Sequence, residues 1–267
     1  MANIFEKNKT YLGDCLELMP QMESGMFDMI LCDLPYGTTA CKWDTIIPFE
    51  PLWKEYERLI KPNGVIVLTA SQPFTSILIQ SKFDMFKYSM VWVKDKPSNF
   101  ANANKMPMRY HEDICVFYKQ MPTYNKQFEP RKGSGANRVK YKITNGFGDN
   151  DQNEHKIGCK EQTKNYGDMK QVGTVLDVAF EVRKKGQHGT VKPIKLFEML
   201  IKMFTNEGEL ILDNCAGSGT TGEACFNTGR NYIQIEKEQD YFSLILEREK
   251  SFNKKDLYDG TLFETQM

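Results

Sequence analysis

Asp33-Leu34-Pro35-Tyr36-Gly37 puts a carboxylate, a stiff turn and an aromatic ring at consecutive positions. Pro35 fixes its own backbone and biases Leu34 towards an extended conformation. The apolar run Phe27 to Cys32 before it reads as a buried parallel strand that empties at Asp33. A carboxylate and free carbonyls beside a flat ring suit a planar amine: the acceptors take its hydrogens and the ring stacks on its face. Asp, Pro and Gly are also ordinary turn residues, so the motif needs support from the rest of the chain.

That support comes from Asp213-Asn-Cys-Ala-Gly217-Ser-Gly219-Thr-Thr-Gly222, a G-x-G-x-x-G string. It follows a predicted strand, opens a predicted helix, and has Glu236 nineteen residues beyond Gly217 at the end of the next strand. This is the context of a nucleotide-binding turn, in which glycines let a cofactor approach the backbone and an acidic residue accepts from a ribose diol. The helix N-terminus attracts a negative group. A P-loop would need Gly-Lys-Ser/Thr, which is missing. Only 45 residues follow Gly222, too few for the second half of a dinucleotide fold. A single adenosine moiety fits better, with S-adenosylmethionine the expected cofactor. Asp14, at the end of its own short strand, could receive the adenine amine.

The elements that must position these groups alternate. Strands are predicted at Thr10–Leu12, Phe27–Cys32, Val65–Thr69, Tyr88–Val93, Ile114–Tyr118, Glu209–Leu212 and Tyr232–Ile235. Helices are predicted at Phe49–Ile60, Pro73–Gln80, Ile194–Phe204, Thr220–Asn227 and Gln239–Lys250, with a brief one at Leu16–Met22. Lys61-Pro62-Asn63-Gly64 should stop the first long helix. The alternation implies an α/β sheet with helices on its faces. It fails between about Met121 and Gln187, where only Val172–Val182 has a plausible strand or helix. A stretch of that length without periodicity reads as an insertion rather than an ordinary loop. The polar loop Thr38 to Thr45, with Trp43, could be a lid or a substrate contact.

The chain has 267 residues, 40% apolar and 26% charged, as expected of a globular protein with one substantial core. No run reaches bilayer-spanning length and Met1 to Thr10 lacks a signal-peptide core. Seven scattered cysteines without a C-x-x-C pair and three distant histidines suggest a reducing, cytoplasmic setting and no metal. Net charge is zero, but Lys119 to Gly146 carries seven basic residues against Glu129 alone, interleaved with Tyr124, Phe128 and Tyr141. Such a segment suits phosphate contacts and base stacking. Arg131, Lys132, Arg138 and Lys140 are its candidate nucleic-acid contacts.

With both motifs in place, the chain resembles the DNA amino-methyltransferases of the permuted β class, in which the catalytic motif precedes the cofactor glycine motif. The likeness covers about residues 10–120 and 188–260. His188-Gly-Thr-Val-Lys-Pro193 is similar to that family's His-Pro-Thr-x-Lys-Pro segment, and Gly13-Asp14 to its adenine-contacting segment. Leu34 stands where the family has Pro, Asn214-Cys215 where it has Pro-Phe, and Gly189 where it has Pro.

The resemblance implies one Rossmann-like methyltransferase sheet with helices on both faces, circularly permuted motif order and an inserted target-recognition region. Residues 1–120 would be the catalytic half, 121–187 the inserted region and 188–267 the cofactor-binding half. It implies catalytic roles for Asp33, Leu34, Pro35 and Tyr36. Cofactor contacts would come from Asp14, Cys15, His188, Thr190, Lys192, Asp213, Gly217, Gly219, Thr220, Thr221 and Glu236. The implied activity is site-specific transfer of a methyl group from S-adenosylmethionine to N6 of a flipped adenine in duplex DNA.

The expected partner is double-stranded DNA, with a cognate restriction endonuclease and a homodimer also compatible, in a bacterial or phage-encoded cytoplasmic enzyme. An initial Asp in the motif goes mostly with adenine in this family, leaving cytosine N4 as the nearest alternative. Methylation of RNA or glutamine, a vestigial DNA-binding regulator and a nucleotide-dependent oxidoreductase are the other readings.

Overall fold

Short apolar runs rich in Val, Ile and Leu form the strands, and amphipathic segments between them cover the faces. The computed structural model describes residues 4–39, 41, 44–99, 102–131, 169–179 and 191–261, with side chains of the last helix described to 252. His188, Thr190, Lys132, Arg138, Lys140 and Trp43 lie outside the described residues. The chain divides into two compact units, Met1–Asn125 with Thr174–Met267, and Lys126–Gly173.

The strands are β1 (Lys9–Leu12), β2 (Phe27–Asp33), β3 (Ile60–Ala70), β4 (Phe86–Ser98), β5 (Arg109–Phe117), β6 (Phe128–Pro130), β7 (Met169–Gln171), β8 (Val175–Asp177), β9 (Leu210–Asp213) and β10 (Asn231–Glu236). The helices are α1 (Cys15–Leu18), α2 (Phe49–Leu59), α3 (Phe74–Ser81), α4 (Ile194–Phe204), α5 (Thr220–Asn227) and α6 (Gln239–Thr261), with a 3-10 turn at Met19–Gln21. In the smaller unit β6 and β7 form an antiparallel pair. In the larger, eight strands form one sheet in the order β1-β10-β9-β2-β3-β5-β4-β8. Only β5 runs antiparallel to its neighbours, β3 and β4; the other pairs are parallel.

Strand side chains alternate between faces. Phe27, Ile30, Cys32, Ile66, Leu68, Leu212, Ile233 and Ile235 belong to one core cluster with Leu52, Trp53, Tyr56 and Leu59 of α2 and Phe74 and Leu78 of α3. Tyr232 and Gln234 alternate to the opposite face, where they lie against Gly222 of α5. Helix α5 in turn packs on α4. The sheet is therefore covered on both sides. From β2 the chain crosses through α2 to β3, and from β9 through α5 to β10, on the other side of the sheet's centre. The carboxyl ends of the adjacent strands β2 and β9 thus lie where the connections diverge, the place at which open α/β sheets bind ligands.

Several elements differ from the sequence expectation. Strand β3 begins at Ile60, and Lys61–Gly64 is a register shift within it rather than a terminating turn: Phe27 pairs with Ile60 and Met29 with Val65. Strands β4 and β5 extend well beyond their apolar centres, to Ser98 and back from Arg109. Main-chain ladders tolerate exposed polar side chains such as Lys96 and His111. Strands β6 and β7 fall where the sequence suggests no element, whereas β8, which joins the sheet, lies within Val172–Val182, the stretch with a plausible strand or helix. The Trp92 indole N–H donates to the Val178 carbonyl there at 2.8 Å. No helix among the described residues is long and apolar enough to cross a membrane.

Candidate active site

Asp33 is the last residue of β2, and Thr69 is its register partner on β3. The Thr69 hydroxyl donates to Asp33 Oδ1. Tyr36, carried back by the turn, donates its hydroxyl to the same oxygen at 2.7 Å and lies 3.1 Å from Thr69 Oγ1. Burial and the nearby Asp33 and Glu112 charges push the Tyr36 pKa well up, so the hydroxyl stays a donor. Its ring stacks on Phe74, centroids 5.2 Å apart. Leu34 is buried in the core and anchors the turn; Pro35 is half-buried.

The turn is tied from beyond as well. Asp44, itself buried, accepts backbone N–H bonds from Gly37 at 2.8 Å, Thr38 at 2.9 Å and Thr39 at 2.7 Å. Burial opposes its charge, but the Thr39 hydroxyl and these amides outweigh that and hold its pKa below the ordinary value.

Lys192, two residues before α4, brings its ammonium to 2.7 Å from Asp33 Oδ2. The same nitrogen is 3.1 Å from Glu112 Oε2 on β5. Glu112 Oε1 is in turn 3.1 Å from the ammonium of Lys94 on β4, which donates to Ser98 at 2.9 Å. The result is an alternating row of charges, Asp33, Lys192, Glu112 and Lys94. Burial works against the charge on Lys192, yet the two carboxylates outweigh it and raise its pKa. Burial likewise opposes ionisation of Glu112, and the two lysines overcome it. Lys192, expected on the cofactor side, thus has its charge on Asp33. Thr69, Phe74, Asp44, Glu112 and Lys94 were missed in the sequence, since each comes from a different element and no local pattern marks it.

On the other side of β9 lies the glycine turn. Gly217 and Gly219 have left-handed backbones, φ +54 and +75, a conformation that costs other residues energy. A Cβ on Gly217 would have only the Cys215 carbonyl within 4.0 Å, so this edge of the turn is bare backbone facing open space. A Cβ on Gly222 would stand 2.5 Å from Gln234 Oε1, which is why α5 can pack so close to β10. Glu236 is buried; its carboxylate accepts from the Gly217 N–H at 2.7 Å and the Glu238 N–H at 2.8 Å. The carboxylate retains acceptor capacity for a further donor. Arg248 of α6 donates to the Ser218 carbonyl at 2.6 Å and to Glu223 at 2.5 Å, bracing the turn from outside.

Asp213 and Thr221 are both buried and hydrogen-bonded to each other, and the Cys215 N–H donates to Asp213 Oδ1 at 3.1 Å. They shape the turn from beneath. Burial pushes the Asp213 pKa up to about 6. Thr220 is buried at the start of α5, 3.2 Å from the Ser218 hydroxyl. Asp14 caps α1 through the Leu16 N–H at 2.9 Å and pairs with Lys237 at 2.9 Å. Cys15 is buried beside Cys215. Because β1, β10 and β9 are parallel neighbours, Asp14, Glu236 and Gly217 gather at one end of the sheet, the end where Asp33 also stands.

Arg131 belongs to the smaller unit and is half-buried there.

A bare glycine turn with a buried acidic residue fits a nucleoside cofactor, and a pinned carboxylate beside a tyrosine fits a planar amine. A family model described as DNA methylase matches residues 27–247. The chain is 26% identical over 257 residues to the DNA adenine methyltransferase YhdJ of Escherichia coli K12, covering 88% of this chain and 80% of that protein. It is 27% identical over 263 residues to the type II methyltransferase M2.MboI of Moraxella bovis, covering 88% and 84%. The solved complex of M1.HpyAVI with SAM superposes with a TM-score of 0.58 at 23% identity, covering 90% of this chain and 98% of that one.

Proposed function

This chain belongs to the DNA methylase family, and from that premise we propose that it methylates N6 of adenine in duplex DNA, using S-adenosylmethionine. The observation that carries the reading is the meeting of two strand ends: Asp33 of β2 and the bare glycine turn after β9 flank one crevice of the sheet. The named activity of YhdJ and the Asp at the head of the motif support adenine over cytosine.

The cradle fits the cofactor by its own chemistry. Gly217 leaves space against the backbone, and Glu236 has acceptor capacity for a ribose diol. Asp14 stands at the end of β1 for the adenine, with Gly219 and Thr220 continuing the cradle. Bound there, S-adenosylmethionine supplies an electrophilic methyl group on a sulfonium.

An exocyclic amine is a poor nucleophile because its lone pair is delocalised into the ring. Asp33 and the Leu34 carbonyl accept its two hydrogens, favouring a pyramidal nitrogen whose lone pair is free. Pro35 keeps these acceptors in register. Asp33 also offsets positive charge developing on the nitrogen, and Tyr36 gives the flipped base a stacking surface. Holding the amine in this geometry supplies much of the rate. The smaller unit, Lys126–Gly173, with Arg131 and the basic residues around it, is assigned to the DNA target, within the inserted region 121–187 between the catalytic and cofactor-binding halves. The bacterial relatives support a cytoplasmic setting. M2.MboI, a type II methyltransferase by name, supports pairing with a restriction endonuclease.

The test is mass spectrometry of nucleosides from unmethylated plasmid DNA incubated with the protein and labelled S-adenosylmethionine. Label in N6-methyladenine is expected. Label in N4-methylcytosine would overturn the base, and no label in DNA the reaction.

A further inference from the structure

The row of charges behind Asp33 is costly to build. Lys94 has 2% of its side chain exposed, Lys192 9% and Glu112 15%, whereas Asp33 at the crevice has 29%. Buried ion pairs seldom add stability over apolar packing of the same volume, so a row of four calls for a role beyond holding the fold. Its geometry indicates one. Lys192 is shared: 2.7 Å from Asp33 on one side and 3.1 Å from Glu112 on the other. Thr69 and Tyr36 occupy Oδ1 of Asp33, so Oδ2, which holds Lys192, is the oxygen with acceptor capacity to spare.

We propose that Glu112 is a positioning residue for methyl transfer, sharing the Lys192 ammonium so that its charge and hydrogens are not all spent on Asp33 and Oδ2 keeps an acceptor direction open to the incoming amine. The inference rests on the methyltransferase reading of the site. Without the Glu112 charge, Lys192 has Asp33 as its only counter-ion among the described residues, and the whole of its charge and its free hydrogens turn to that carboxylate, competing with the amine for Oδ2. Lys94 sets the balance from behind: it neutralises the charge that Glu112 would otherwise leave in excess.

Removing Glu112 alone strands the Lys94 charge in the core, so the informative protein is the double variant Glu112→Gln/Lys94→Met. It leaves the Lys192–Asp33 pair electrically balanced, keeps the side-chain length at position 112 and shortens it by one heavy atom at position 94. The experiment compares it with wild type and with Glu112→Asp, which keeps the charge but retracts it. S-adenosylmethionine affinity, thermal midpoint and single-turnover methylation of unmethylated plasmid DNA are measured for each.

The double variant is expected to keep cofactor affinity and fold while methylating at least about tenfold more slowly, with Glu112→Asp between it and wild type. A double variant that folds and methylates at the wild-type rate overturns the inference, because restoring charge balance alone then suffices. Should the double variant not fold, Glu112→Asp decides: slower methylation with unchanged cofactor affinity supports the positioning role, and the wild-type rate overturns it. Failure of the wild-type protein to label DNA would instead bring down the reading of the reaction, and this inference with it.

Discussion

The ammonium of Lys192 and the carboxylate of Asp33 meet at 2.7 Å although 159 positions separate them in the chain. The contact joins the end of β2 to the segment entering α4. It aims Asp33 with a charge, while the Thr69 and Tyr36 hydroxyls aim it from the opposite oxygen. A carboxylate held from both sides is pre-organised to accept from an amine without rearranging.

Asp33→Ala should therefore lower methyl transfer by about a thousandfold, the scale of losing one pre-organised group that acts on developing charge. The glycine turn lies across β9 and does not depend on Asp33, so cofactor affinity should stay within about twofold. Single-turnover methylation and a cofactor titration read the two separately. A methylation rate within about tenfold of wild type would remove Asp33 from the centre of the mechanism.

The two motifs were legible because each is local. An apolar strand followed by Asp-x-Pro-Tyr, and a strand followed by G-x-G-x-x-G, name their own positions at sheet ends; α4 and α5 fall at the residues the periodicity indicates. Thr69, Glu112 and Lys94 were not legible, because their meaning is their register. Thr69 matters as the partner of Asp33 across β2 and β3, and Glu112 as the partner of Trp92 across β5 and β4. Neither neighbour can be read from a strand taken alone. The polar outer parts of β4 and β5 were missed for a related reason: their strand character comes from pairing, and their side chains carry no alternation to announce it.

Two glycines of the turn should fail in different ways. Gly217→Ala puts a Cβ on a left-handed backbone, at roughly 1–2 kcal/mol, and points it into the open cradle. Gly222→Ala drives a Cβ against Gln234 in a packed interior, at about 1–3 kcal/mol. Cofactor affinity should drop more in the first and thermal stability more in the second. Calorimetry and a cofactor titration on both variants check the pattern; unchanged affinity in Gly217→Ala would count against the cradle.

Asp44→Asn should loosen the turn after Tyr36. The amide keeps one acceptor oxygen but presents hydrogens to N–H groups that the carboxylate now accepts, at about 1–3 kcal/mol in all. The Asp44 pKa is lowered in the fold, so its contribution is present above the ordinary aspartate value of about 4 and lost as pH falls through the lowered one. The gap in melting temperature between wild type and Asp44→Asn should be full at pH 7 and close on acidification. A gap that stays constant down to about pH 3 would show that the charge is not what ties the loop.

Asp213 has the opposite sign. Burial raises its pKa to about 6 in the fold, against about 3.9 in the unfolded chain. Between those values the folded protein holds a proton that the unfolded chain releases. The stability this gives is full below about pH 4 and is lost as pH rises through about 6. Asp213→Asn keeps a neutral group of the same shape there: its oxygen can accept from the Cys215 N–H and its amide can donate to the Thr221 hydroxyl, which needs only to rotate. The variant should be flat across this window and more stable than wild type at pH 7, by an amount that shrinks towards pH 4. Denaturant unfolding of both proteins at half-unit steps of pH reads this directly. A variant less stable than wild type at neutral pH would mean that the ionised carboxylate is repaid by the turn it holds.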